Sequence, residues 1–323
     1  MPAIDALEAI QAGSNTQWIR VRGADASNPA LLLMQQGPGL PIINDARRLE
    51  HLLGLEEAFT VIYWDQRGTG LSSPSLRKNS HQFEISVTRM VDDTVTLLEL
   101  LRDRFGGKTF VAGFSFGATF AAYAAVQRPE LVAALVAAGM DIDIPAAENN
   151  AYAFAVDAAR QRGNRRAIRQ LEAIGPPPHT TRKQFTTRAR WAVNFGGVTT
   201  NANFTSLLRE LVLSLVRSPD YSPADVIRTL RGMSASQAAL LPELATTDLV
   251  RTMPRFDVPL VMAQGRLDQV APGAAAQRFH DSLIAPSKQL VWFESSAHTP
   301  HLEEPAKFRD LLMNVRASQL TST

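Results

Sequence analysis

The chain has 323 residues, 45% of them apolar, enough to bury a large core in one main domain carrying a sizeable insertion. Its 33 basic and 31 acidic side chains are dispersed and leave a net charge of +2, which gives no electrostatic footprint for a phosphate backbone and argues against a nucleic-acid partner. Cysteine is absent, which rules out disulfides and thiolate chemistry.

The amino-terminal "MPAIDALEAIQAG" lacks the basic start and apolar core of a signal peptide. No stretch approaches the roughly 18 uninterrupted apolar residues of a membrane span. A soluble, cytoplasmic protein with no membrane partner is the expectation. The segment at 16–23, "TQWIRVRG", alternates like a half-buried strand, and "ALLLMQQ" (30–36), "FTVIYWD" (59–65) and "KTFVAGF" (108–114) read as buried strands. Between the last two, 86–107 carries Val87, Met90, Val91, Val95, Leu98 and Leu101 at helical spacing and stops on Gly106-Gly107. "ELVAALVAAGM" (130–140) is a further strand. The rhythm resumes with a strand at 258–265, a helix at 274–283, a strand at 288–294 and a helix at 305–317.

Strand, helix, strand in succession predicts an α/β fold: a mostly parallel sheet with helices on both faces. The stretch 141–250 breaks the pattern, with helical segments separated by "GPPP", "NFGGVTTNANF" and "SPDYSP". It reads as a helical lid inserted into a core domain made of 1–140 and 251–323. The basic run "RQRGNRRAIR" (160–169) reads as a solvated face.

"VAGFSFGATFAAYAA" (111–125) sets Ser115 between two glycines where a strand gives way to a helix. Such a turn is too sharp for bulky neighbours; it lifts the hydroxyl above the sheet and leaves the Phe116 amide at a helix amino terminus, where developing negative charge is stabilised. A serine hydroxyl needs a base and an orienting carboxylate. Among six histidines, His298 follows the strand "QLVWF" and is favoured over His301, three residues on, which reads as beginning or capping the last helix. His51, His81, His179 and His280 read as surface residues. Asp268, in "GRLDQVAP" after the penultimate strand, is the favoured acid, and Asp141, after "LVAALVAAGM", competes with it. The order Ser115, Asp268, His298 suits this topology.

These residues resemble the α/β-hydrolase superfamily, and more narrowly its proline iminopeptidase-like (S33-like) serine hydrolases. "QQGPGLP" (35–41) is similar to that group's His-Gly-Gly-Pro-Gly oxyanion loop, "YWDQRGTGLSSP" (63–74) to its Asp-Gln-Arg-Gly segment, and "GRLDQVAP" to its acid loop. The resemblance implies a serine hydrolase acting on amide or peptide bonds, with the Gly37 amide joining that of Phe116 as oxyanion donor. Asp65 and Arg67 read as structural. Two departures stand out. Gln35 and Gln36 replace the family's histidine and first glycine, and either bind substrate or pack beneath the loop. The lid segment "RARWAVNFGG" keeps Trp191 but lacks the glutamate that holds the substrate's free amine in this group, and Glu148, Asp157, Glu172 and Glu210 are equal candidates to replace it. Phe114 and Trp191 are candidate walls of an apolar substrate pocket. No ligand cluster or phosphate-cradling loop implies a metal or cofactor. A small-molecule or short-peptide substrate is expected; ester or lactone hydrolysis, or lyase or acyltransferase chemistry with the same triad, are the alternatives.

Overall fold

A computed structural model describes residues 2–13, 15–74 and 83–320. Its centre is an eight-stranded sheet in the order β1-β2-β4-β3-β5-β6-β7-β8. The strands are β1 (Ile4–Ala12), β2 (Asn15–Gly23), β3 (Ala30–Met34), β4 (Thr60–Asp65), β5 (Thr109–Phe114), β6 (Val132–Ala138), β7 (Leu260–Gly265) and β8 (Lys288–Phe293). From β4 to β8 every neighbouring pair is parallel, whereas β1/β2 and β2/β4 are antiparallel. β1 is an element the sequence did not reveal. Its run of Ala, Leu and Glu suits a helix by composition, and pairing along the whole length of β2 decides the matter.

The helices on the sheet are α1 (Ala46–Leu53), α2 (Val87–Phe105) and α3 (Phe116–Gln127). The side chain of Ser86 caps α2 by accepting from the Arg89 amide, and Gly106 ends it in the left-handed conformation, as the glycine pair predicted. Six helices then intervene between β6 and β7: α4 (Ile144–Gln161), α5 (Arg165–Ile174), α6 (Arg182–Asn194), α7 (Phe204–Arg217), α8 (Pro223–Leu244) and the short α9 (Leu249–Thr252). The remaining helices are α10 (Gly273–Ser282), α11 (Pro300–Glu303) and α12 (Pro305–Leu320).

Strand periodicity divides the core in two. Leu32, Met34, Ile62, Trp64 and Val111 point to the side covered by α2, α3 and α10, where Met90, Leu98, Ala118, Ala122 and Phe279 meet them. Leu31, Leu33, Val61, Tyr63, Phe110 and Phe114 point the other way, onto Leu49, Leu53, Phe308 and Leu312 of α1 and α12. Because both faces are covered, these strands are continuous apolar runs rather than alternating ones. The alanines of α3 let that helix lie close to the sheet. The inserted helices have a small core of their own, in which Ala155, Ala159, Ala167, Leu171, Trp191 and Phe195 pack together. Among the described residues, no helix is long and apolar enough to cross a membrane.

Candidate active site

Ser115, Asp268 and His298 all lie in turns that follow the ends of parallel strands, β5, β7 and β8. β5 runs into α3 through Ser115, whose φ of 52° and ψ of −124° make it the one non-glycine residue with positive φ among the described residues. The turn is too tight for side chains beside it. A Cβ at 113 would lie 2.4 Å from the Ala118 Cα, and one at 117 would lie 2.4 Å from the Met34 carbonyl oxygen. The glycines of "GFSFG" thus allow the helix to start directly on the strand and let the chain at Met34 and Gln35 pass beside it. Phe116 occupies the first position of α3, so its amide has no preceding helical carbonyl to bond.

β7 and β8 supply the other two groups from neighbouring loops. The Asp268 carboxylate accepts from the Val270 and Ala271 amides through Oδ1, both at 2.8 Å, and meets His298 Nδ1 through Oδ2, also at 2.8 Å. One oxygen fixes the carboxylate and the other fixes the imidazole. Burial by itself would lower the His298 pKa, but the charge and hydrogen bond of Asp268, with the further charge of Asp141, raise it to about 9. The histidine loop is tied to the insertion: the His298 amide donates to the Val198 carbonyl at 2.9 Å, and the Gln269 amide to the Gly197 carbonyl at 2.9 Å. The "NFGGV" turn therefore braces both the acid loop and the histidine loop through main-chain bonds, which leave no side-chain signature in the sequence.

Asp141, the competing acid, sits elsewhere. The Ser115 hydroxyl donates to its Oδ2 at 2.9 Å, and Thr119 Oγ1 donates to its main-chain carbonyl at 2.9 Å. The carboxyl group is buried, which raises its pKa from 3.8 to about 6 against the lowering effects of His298 and the Ser115 hydroxyl. His298 is thus held by Asp268, and Ser115 by Asp141.

Gly37 and Phe116 line one small cavity of about 10 Å³ together with Gln36, Gln66 and Phe120, roughly the room of a single water molecule. Gln35 is used to hold its own loop: its Nε2 donates to the Pro41 carbonyl at 2.8 Å and its Oε1 accepts from the Gln36 amide at 2.8 Å. Asp65 and Arg67 do not pair with each other. Asp65 gathers the amides of Ile42, Ile43 and Leu71 and the Tyr221 hydroxyl, while Arg67 grips Asp93 with 2.6 and 2.8 Å bonds.

Phe114 and Trp191 do not face a substrate cleft in this structure. The Phe114 ring stacks on His301 at 3.9 Å in the core beneath α12, because the alternation of β5 turns it away from Ser115's side of the turn. Trp191 stacks on Phe195 and donates to Gln170 within the core of the insertion. His301, in α11, is fully enclosed. His179 is buried as well, contrary to its reading as a surface residue: Arg188 and Glu148 form a 2.6 Å ion pair around it, its amide donates to Glu148, and its Nε2 bonds the Gly175 carbonyl. His81 lies outside the described residues. Of the insertion acids, Asp157, Glu172 and Glu210 are exposed, and Glu148 is the one committed to Arg188. Among the described residues, no cluster of histidine and carboxylate side chains is arranged as a metal site.

Residues 51–305 match the family model described as serine aminopeptidase, S33. The probable aminopeptidase YbaC of Bacillus subtilis (strain 168) is 29% identical over 314 residues, 96% of each chain. The proline iminopeptidase-related protein of Thermus thermophilus superposes with a TM-score of 0.68 at 18% identity, covering 99% of this chain and 100% of that one. The proline iminopeptidase of Mycobacterium smegmatis gives 0.66 at 18% identity, covering 98% and 100%. A 2-hydroxy-6-oxo-6-phenylhexa-2,4-dienoate hydrolase from Rhodococcus sp. strain RHA1 gives 0.65 at 20% identity, covering 98% and 99%, so the fold itself spans several reactions. The chain belongs to the S33 serine aminopeptidase family and is an α/β-fold serine hydrolase.

Proposed function

We propose that the protein is an aminopeptidase that cleaves an amide bond through an acyl-enzyme formed on Ser115. The observation that carries this reading is the pairing of His298 Nδ1 with the buried Asp268 at the strand ends where Ser115 is held in its strained turn. With Nδ1 bonded to Asp268, the other ring nitrogen, Nε2, is the one left to work on the serine. In the reaction the Ser115 Oγ–H proton passes to Nε2 as the Oγ–carbon bond forms. The carbonyl oxygen becomes an oxyanion, stabilised by the amides of Phe116 and Gly37. His298 then gives the proton to the departing amine as the carbon–nitrogen bond breaks. Water repeats the sequence: its proton goes to Nε2, its oxygen bonds the acyl carbon, and Ser115 leaves with the proton returned.

The family match and the probable aminopeptidase relative favour an amide substrate with a free amino terminus over an ester. The test is turnover of an alanyl arylamide by the wild-type protein and by Ser115→Ala, with fluorophosphonate labelling mapped by mass spectrometry. The expectation is labelling of Ser115 and a loss of turnover by several orders of magnitude in the variant. Retained turnover in Ser115→Ala, or labelling elsewhere, overturns the assignment.

A further inference from the structure

We infer that Asp141 binds the free ammonium group of the substrate beside the nucleophile, taking the part for which none of the acids considered in the insertion is free. This rests on the aminopeptidase reading and names the residue that would make it selective.

Distance is the first ground. In an aminoacyl group the amine nitrogen is two bonds from the carbonyl carbon, about 2.5 Å away. When that carbon stands roughly 3 to 3.5 Å from the serine oxygen, ready for attack, the amine is brought to the same neighbourhood as Oγ. Asp141 Oδ2, 2.9 Å from Ser115 Oγ, lies in that same neighbourhood, and a pose that turns the amine toward it brings the two into contact.

The second ground is supply of charge. Asp157, Glu172 and Glu210 are exposed on the outer surface of their helices, and Glu148 is neutralised by Arg188 at 2.6 Å and occupied by the His179 amide. Asp268 is spent on His298 and two amides. Asp141 has the Ser115 hydroxyl as a side-chain partner, and a substrate can displace that bond.

The third ground is that Asp141 has a cost with no evident structural return. Burial disfavours its charge, and the main-chain bond that holds its loop, from Thr119, goes to its carbonyl rather than its carboxylate. An ammonium ion adds a directly bonded counter-charge to the more distant positive charges of His298 and Arg188. It also frees the Ser115 hydroxyl to turn toward His298 and offsets one of the negative charges, with those of Asp268 and Glu303, that keep the imidazole protonated. Binding of the correct substrate thus readies the base and the nucleophile together. Groups acting on the Asp141 carboxylate come from every side: Ser115 from the elbow, His298 and Asp268 from the β8 and β7 loops, and Arg188 from α6.

The experiment compares kcat/KM for an alanyl arylamide with its amine free and with that amine acetylated, in wild type and in Asp141→Asn. The inference requires a wild-type preference for the free amine that falls roughly 10- to 100-fold in the variant, the range set by a hydrogen bond to a charged group. An undiminished preference in the variant, with both rates falling together, overturns it and leaves the aminopeptidase reading intact. No preference in wild type overturns both. Should Asp141→Asn not fold, wild-type inhibition by 1-aminoethylboronic acid and by its N-acetyl derivative, measured between pH 5 and 7, gives the same information. The ratio cancels titrations common to both compounds, and the advantage of the free amine must shrink as the pH falls through about 6, where Asp141 takes up a proton. A ratio independent of pH contradicts the inference.

Discussion

A buried carboxylate whose pKa is raised makes the folded protein more stable when it is protonated, so replacing Asp141 with its neutral isostere should stabilise the fold at neutral pH. The unfolded chain releases this proton near 3.8 and the folded protein near 6. The contribution of the protonated group is fully present below about pH 3.8 and is lost as the pH rises through 6; above that, ionised Asp141 destabilises the fold relative to an uncharged residue. A rise of this size corresponds to about 3 kcal/mol. For a chain of 323 residues that converts to an increase of about 4 °C in Tm. The assay is thermal unfolding of wild type and Asp141→Asn at pH 7.5 and again near pH 4. The gain should appear at pH 7.5 and diminish at the lower pH, where the wild-type carboxyl is itself neutral. An Asn variant less stable than wild type at pH 7.5, or a gain independent of pH, would refute the electrostatic reasoning and make Asp141 a structural acceptor.

With a blocked ester, which has no amine to titrate, kcat/KM should rise with pH and be half-maximal near pH 9, because His298 must be neutral to act as base. In Asp141→Asn the same limb should move to lower pH as one of the charges holding the proton disappears. An unchanged limb would separate Asp141 from His298. Asp268→Asn should lower kcat by roughly 10³- to 10⁴-fold while substrate binding changes little, as expected when an imidazole loses its orienting carboxylate; steady-state kinetics decides. Asp93→Asn leaves Arg67, 3% exposed, without its anionic partner and should cost about 3 to 5 kcal/mol by denaturant unfolding, with a loss under 1 kcal/mol counting against a structural role for the pair.

What the sequence made legible was local. The elbow could be read because its glycines are demanded by collisions within a few residues, and the end of α2 because Gly106 is a left-handed cap. The competition between Asp141 and Asp268 could not be closed that way, since both follow strands. Sheet order separates the two: β6 lies beside β5, so its acid lands on Ser115, while β7 lies beside β8, so its acid lands on His298. His179 was misjudged because its partners arrive from α4 and α6 and nothing near it in sequence announces them. Phe114 beside the elbow and Trp191 in the insertion have the character of pocket walls in the sequence, and each is instead packed by its own neighbours into a core.

The most direct test of the central claim is the wild-type rate on the matched alanyl arylamides, with Ser115→Ala as the control. Faster turnover of the compound with the free amine is expected, and none measurable in the variant. Equal rates, a preference for the acetylated compound, or turnover that survives loss of Ser115 would contradict it.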